Sequence, residues 1–262
     1  MSPLTITTIQ TVLHWEDKAA NLEMLEEKIA GIGQPTHVVV LPEMFSTGFS
    51  MDAPLLAESM SGSTVEWMQR VSAERRVVLT GSLIIEEGGN YYNRMIWMLP
   101  NGKMAHYDKR HLFAYSGEDK CYRAGSKRCI VSVNGWKINL LVCYDLRFPV
   151  WARQQYKDGY EYDLMICVAN WPNKRSHAWK TLLSARAIEN QCYVVGVNRV
   201  GVDANELQYS GNSMVIDPLG AVIYHKEGDE DVFTVELDKK PLAAIREHLP
   251  FWKEADRFDI LT

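Results

Sequence analysis

Apolar and polar residues alternate from Leu4 to Gln10, the two-residue rhythm of a strand with one face against a core. The period then changes. Ala19, Leu22, Leu25 and Ile29 recur at spacings of three and four, which predicts an amphipathic helix. A short apolar run from His37 to Leu41 has strand length and stops abruptly at Pro42-Glu43. Val65, Met68 and Val71 mark a second helix, followed by a strand from Val77 to Ile85. Beyond this point the rhythm is that of hairpins. Glu87-Gly88-Gly89-Asn90 and Pro100-Asn101-Gly102 separate runs rich in Tyr, Met, Ile and Trp, and Asn134-Gly135 joins Ile130–Val133 to Trp136–Val142. Strand–helix alternation resumes with Leu164–Ala169, a helix over about Ala178 to Glu189, and Tyr193–Val197. Met214–Ile216, the turn Asp217-Pro218-Leu219-Gly220, Ala221–Tyr224 and Val232–Val235 complete the pattern. Strand–helix units mixed with hairpins predict sheets covered by helices on their outer faces. No repeat of fixed period and no Pro/Gly/Ser linker divides the 262 residues, so a single domain over 1–262 is expected.

Composition narrows the class of partner. The net charge is −5 and no basic run could track a phosphate backbone, so nucleic acid is not an expected partner. No stretch approaches the roughly 20 consecutive apolar residues of a membrane helix, and the N-terminal residues show neither the basic region nor the apolar core of a signal peptide. The five cysteines, Cys121, Cys129, Cys143, Cys167 and Cys192, have no C-x-x-C spacing, which suggests neither a disulfide framework nor a zinc knuckle. Free thiols in a chain without export signals predict a cytoplasmic protein.

Two positions stand where a buried strand gives way to a polar loop, the place where α/β folds put reactive groups, and a third lies in a charged segment. Cys143 follows Ile138–Val142 and precedes Tyr144-Asp145-Leu146-Arg147. Glu43 follows His37–Pro42, and Lys109 lies in Tyr107-Asp108-Lys109-Arg110-His111. Taken singly, each has an ordinary reading: a packed thiol, a helix cap or surface carboxylate, a solvated charge cluster. Cys167 and Cys192 lie within or beside apolar strands and read as structural. His111 or His177 could be nominated as a partner for a cysteine nucleophile, but neither has a matching local context. The remaining histidines are scattered, without H-E-x-x-H or a ligand cluster, so no metal is expected.

Together and in order, the segments LPEMF around Glu43, YDKRHLF around Lys109 and VCYDLRFPVWAR around Cys143 resemble the nitrilase superfamily of carbon–nitrogen hydrolases. The resemblance continues through ANWP (Ala169 to Pro172), RAIENQ (Arg186 to Gln191) and GNSMVIDPLG (Gly211 to Gly220), covers nearly the whole chain, and is strongest to the omega-amidase branch. It implies a four-layer αββα sandwich, a homodimer and no cofactor. It also implies a division of labour that thiol-based amide hydrolysis requires: Cys143 as nucleophile, Glu43 as general base and acid, and Lys109 as oxyanion partner that also favours the thiolate. The Tyr144 N–H is a second oxyanion donor. A fourth carboxylate is expected between the Lys and the Cys, at Glu118 or else Asp119.

The implied substrate is the distal primary amide of a short (keto-)dicarboxylic acid, such as 2-oxoglutaramate or 2-oxosuccinamate. Its remote anionic end calls for a guanidinium, with Arg175 as first choice and Arg147, which could instead pair with Asp145, as second. Asn170 and Trp171, after the strand Leu164–Ala169, are expected at the same sheet edge. The alternatives are another carbon–nitrogen hydrolase, acting on a carbamoyl amine, an aliphatic amide or a nitrile, and a non-catalytic small-molecule binder or redox thiol protein on the same fold.

Overall fold

A computed structural model describes residues 2–156 and 159–260. Strands β1 (Leu4–Gln10), β2 (Val38–Val40), β3 (Val78–Glu87), β4 (Asn90–Met98) and β5 (Met104–Asp108) belong to one sheet. A second sheet contains β6 (Ile130–Val133), β7 (Trp136–Val142), β8 (Leu164–Ala169), β9 (Tyr193–Asn198), β10 (Val200–Val202), β11 (Gln208–Ile216) and β12 (Val222–Glu227). The last strand, β13 (Asp231–Leu237), returns to pair antiparallel with β1. The strand order is β13-β1-β2-β3-β4-β5 in the first sheet and β10-β11-β9-β8-β7-β6 in the second, with β12 on β11.

Each sheet has a parallel heart. β2 runs parallel to both β1 and β3, and β8 runs parallel to both β7 and β9. Such strands are covered on both faces, which is why Val38–Val40 and Leu164–Ala169 read as unbroken apolar runs. Alternation within them sorts side chains between two cores. Val38, Val40, Met95 and Trp97 point into the layer between the sheets, where they join Ile138, Leu140 and Ile166. Val39, Ile96 and Met98 face the other way, toward Leu25 and Ile29 of the helix Lys18–Ala30 and Val65, Met68 and Val71 of the helix Ser63–Arg75. On the second sheet, the helix Ser176–Asn190 packs so closely on β9 that a Cβ at Gly196 would fall 2.5 Å from Leu183 and 2.9 Å from the Trp179 ring. The layering is therefore helix, sheet, sheet, helix.

The hairpin from β6 to β7 turns at Asn134 (φ 48°) and Gly135 (φ 78°), the paired left-handed residues that an Asn-Gly turn supplies. Strand ends differ from the periodicity where side-chain character misleads. β11 begins at Gln208 and not at Met214, because its polar first half pairs with β10 and only its second half enters the core. Among the described residues no helix is long and apolar enough to cross a membrane.

The turn after β2 is built into the sheet beside it. Phe45 N–H donates to the Ser82 carbonyl and Met44 N–H to Ser82 Oγ, while a Cβ at Gly81 would lie 2.8 Å from the Phe45 ring and 2.9 Å from Leu41 Cβ. Gly81→Ala should therefore overpack this contact and destabilise the protein by about 1–3 kcal/mol, read as a lowered urea midpoint; an unchanged midpoint would show that the turn after β2 yields freely.

Candidate active site

Three parallel strands end at one place. β2 leads through Leu41-Pro42 to Glu43, β7 leads directly to Cys143, and β8 leads to Asn170. Both of the first two exits use a non-glycine residue in the left-handed region: Met44 (φ 43°) immediately after Glu43, and Cys143 itself (φ 45°). Such a backbone costs of order 1–3 kcal/mol and persists where its surroundings hold it. It turns Cys143 sharply from the strand into the 3-10 helix Cys143–Arg147.

The two sheets meet across this point. Glu43, from the first sheet, accepts the backbone N–H of Asn170, from the second, at 2.7 Å through Oε2, and the Asn170 side-chain amide donates to the Glu43 carbonyl at 2.6 Å. The other oxygen of Glu43, Oε1, accepts from Lys109 Nζ at 2.9 Å and Asn93 Nδ2 at 2.8 Å. Lys109 follows β5, and its ammonium also sits 2.9 Å from each oxygen of Glu118. Glu118 opens the short helix Glu118–Cys121 and is anchored by the Phe113 N–H at 2.6 Å and Asn93 Nδ2 at 3.2 Å. All three charged side chains are fully buried. The carboxylate that joins Lys109 is thus Glu118, while its neighbour Asp119 is exposed.

Two carboxylates share one ammonium, and the charges do not balance. Burial opposes the Lys109 charge, but Glu118 and Glu43 more than offset it and hold the ammonium well above the ordinary lysine range. Burial raises the Glu118 carboxyl, with Lys109 pulling it down and Glu43 pushing it up. At Cys143, burial and the Glu43 charge raise the thiol well above its usual range, against the opposing pull of Lys109. Lys109 thus favours the thiolate, as expected, but burial and the Glu43 charge outweigh it.

Lys109, Cys143, Tyr144 and Asn170 border a cavity of about 410 Å³. Its wall also holds Trp171, Arg147 and Arg175, so every substrate-side residue expected from the sequence lines one space. Arg147 lies 4.8 Å over the Trp171 ring and Arg175 5.1 Å over Phe113. Among the described residues neither guanidinium has a carboxylate within ion-pairing distance. Asp145, weighed as a partner for Arg147, is instead taken up by Tyr107, His111 and Val142. A larger hollow of about 690 Å³ lies beside Tyr156 and Trp252, whose rings stack at 3.7 Å, and holds none of this cluster.

His111 faces Asp145 through Nδ1 at 2.8 Å and stacks on Phe148, and His177 is exposed, so neither acts as a partner for the Cys143 thiol. Cys167 and Cys192 are fully buried, as their apolar settings suggested. Periodicity did not single out Asn93, which donates to both carboxylates from the middle of β4. The available signal was a polar side chain amid the largely apolar run that ends in Met95-Ile96-Trp97.

Comparison with known proteins agrees with the geometry. The carbon–nitrogen hydrolase family model matches residues 5–247. An omega-amidase, YafV, of Yersinia enterocolitica is 43% identical over 264 residues, covering 100% of both chains, and a 2-oxoglutaramate amidase of Bacillus subtilis is 31% identical over 95% of this chain and 96% of its own. Among solved structures, a CN-hydrolase superfamily protein of Xanthomonas campestris with an arsenic adduct in its active site superposes with a TM-score of 0.97 at 41% identity, over 99% of this chain and 100% of that one. With a matching family model over most of its length, this sandwich and these relatives, the chain belongs to the carbon–nitrogen hydrolase family, the nitrilase superfamily.

Proposed function

We propose that residues 1–262 form one omega-amidase domain that hydrolyses the distal primary amide of a short (keto-)dicarboxylic acid, 2-oxoglutaramate or 2-oxosuccinamate, to the carboxylate and ammonia. The observation that carries this reading is a cavity with Cys143 and Lys109 of the Glu43–Lys109–Glu118 cluster on its wall, together with two guanidiniums, Arg147 and Arg175, that have no carboxylate partner among the described residues. Relatives named omega-amidase and 2-oxoglutaramate amidase support the substrate class.

Glu43 takes the Cys143 proton as sulfur attacks the amide carbonyl, which avoids leaving a free thiolate in a buried site. Negative charge then develops on the carbonyl oxygen. Lys109 Nζ, which donates to Glu43 Oε1 and to both oxygens of Glu118, borders the cavity, and turning one N–H away from a Glu118 oxygen brings it to that oxygen. The Tyr144 N–H, in the first turn of a 3-10 helix whose leading amides lack intrahelical acceptors, is the second donor. The tetrahedral intermediate collapses as Glu43 returns the proton to nitrogen. Ammonia leaves and a Cys143 thioester remains. Water, deprotonated by Glu43 and positioned by Glu118, attacks the thioester; the carboxylate departs and the proton returns to sulfur. The enzyme is read as a cytoplasmic homodimer, with its five free thiols in support of a reducing compartment.

Cys143→Ala should abolish turnover in a protein that still folds, and limiting iodoacetamide should modify Cys143 in preference to the enclosed Cys167 and Cys192. Peptide mapping reads the second outcome, and wild-type hydrolysis by Cys143→Ala would contradict the mechanism. Glu43→Gln should lower kcat by about 10²–10⁴-fold and Lys109→Ala by about 10²–10³-fold. Glu118→Gln should impair turnover while the exposed Asp119→Asn leaves it intact; steady-state kinetics with the reverse ranking would reassign the fourth carboxylate. Arg175→Ala should raise KM for 2-oxoglutaramate strongly and leave a small neutral amide nearly unaffected. Equal losses on both substrates would make Arg175 structural.

A further inference from the structure

The reaction needs Lys109 and Cys143 at a fixed separation, yet they enter from different sheets: Lys109 after β5 of the first, Cys143 after β7 of the second. Between these two segments stands Asp145, a fully buried carboxylate. Its Oδ1 accepts the His111 backbone N–H at 2.9 Å and faces His111 Nδ1 at 2.8 Å. Its Oδ2 accepts the Tyr107 hydroxyl at 2.8 Å and the Val142 N–H at 3.1 Å. Tyr107 and His111 lie two residues to either side of Lys109, and Val142 immediately precedes Cys143. We propose that Asp145 is the positioning residue that ties the lysine segment to the nucleophile turn and so sets the Lys109–Cys143 geometry; the inference rests on the thioester mechanism above.

The surroundings make Asp145 a rigid link. Tyr107 receives hydrogen bonds from Trp151 Nε1 at 2.8 Å and the Arg110 N–H at 3.3 Å, which orients its own hydroxyl hydrogen toward Asp145. Burial and the Asp145 charge keep that phenol protonated and therefore a donor. The His111 ring is clamped parallel to Phe148 at 3.7 Å and edge-on to Trp151 at 5.9 Å, so its Nδ1 has a fixed aim. Every group facing Asp145 is a donor, and only a group that accepts on both oxygens satisfies them all. An asparagine of the same size would turn its NH2 either toward the Val142 N–H or toward the two His111 donors. In the first orientation, the amide left facing a donor is the one that leads into the left-handed Cys143. The role is mechanical: Asp145 bonds the residues flanking Lys109 and Cys143 and neither of those two side chains.

A double-mutant cycle on the full-length enzyme separates positioning from general support. Asp145→Asn should lower kcat for 2-oxoglutaramate by about 10²-fold, the scale of an ångström-sized misplacement, with KM little changed and the protein still folded by circular dichroism. In a Lys109→Ala background the same change should cost far less, because the separation it maintains no longer matters. A loss that multiplies independently of Lys109→Ala, or a fall that merely tracks the unfolded fraction, overturns the inference. Should Asp145→Asn fail to fold, Tyr107→Phe, which spares the Val142 and His111 bonds, enters the same cycle and should show a smaller loss with the same coupling. Wild-type turnover by Lys109→Ala alone would instead sink the mechanism on which the inference rests.

Discussion

The Lys109 ammonium, shared in a buried site between Glu43 and Glu118, is the interaction around which the rest is arranged. Burying one lysine and two carboxylates at one point is costly unless every charge is partnered and every lone pair is met. Here Lys109 faces three carboxylate oxygens, Asn93 donates to both carboxylates, and backbone amides of Asn170 and Phe113 complete them. Ion pairs of this kind contribute little net stability against an apolar alternative, so the cluster is better understood through chemistry than through folding. It places a base near a thiol whose own burial resists ionisation, and sets an ammonium at the cavity wall, where an oxygen becomes charged only during reaction.

The double-sheet architecture is what brings these groups together. Glu43 and Lys109 leave the first sheet, Cys143 and Asn170 the second, and their strand ends converge on one edge of the sandwich. Two left-handed residues, Met44 and Cys143, turn the chain out of its strands there. That strain is held locally, at Met44 by bonds to Ser82 and at Cys143 by Asp145 on the preceding amide. A cavity wall with Trp171 and Phe113 carries the Arg147 and Arg175 guanidiniums over its rings.

Much of this was legible in the sequence because the relevant signals are local. The run Val38–Val40, the hairpin at Asn134-Gly135 and the helices on either side of the sandwich follow from periodicity and turn chemistry. Glu43, Lys109 and Cys143 are ambiguous one at a time, and only their ordered segment contexts separated them from a surface charge or packed thiol. Asn93 and the bonding of Asp145 were not legible: Glu118 and Glu43 lie 25 and 50 residues from Asn93, and His111 and Tyr107 lie 34 and 38 from Asp145, at separations that only the folded sheets define. The Cys143 thiol illustrates the same limit. A nearby lysine suggested an ionised sulfur, but the balance is decided by burial and by Glu43, both products of the fold. Glu118 sits on a four-residue helix too short to impose a periodic pattern, so its choice over Asp119 needed the contact with Lys109.

The central claim is that acyl transfer passes through a thioester on Cys143, and partitioning of that intermediate tests it most directly. During turnover of 2-oxoglutaramate, added hydroxylamine competes with water for the acyl group. The account predicts a hydroxamate that grows with hydroxylamine concentration at the expense of the carboxylate, with ammonia still released from the amide. Carboxylate as the sole acyl product at every hydroxylamine concentration, while ammonia release continues, would contradict it.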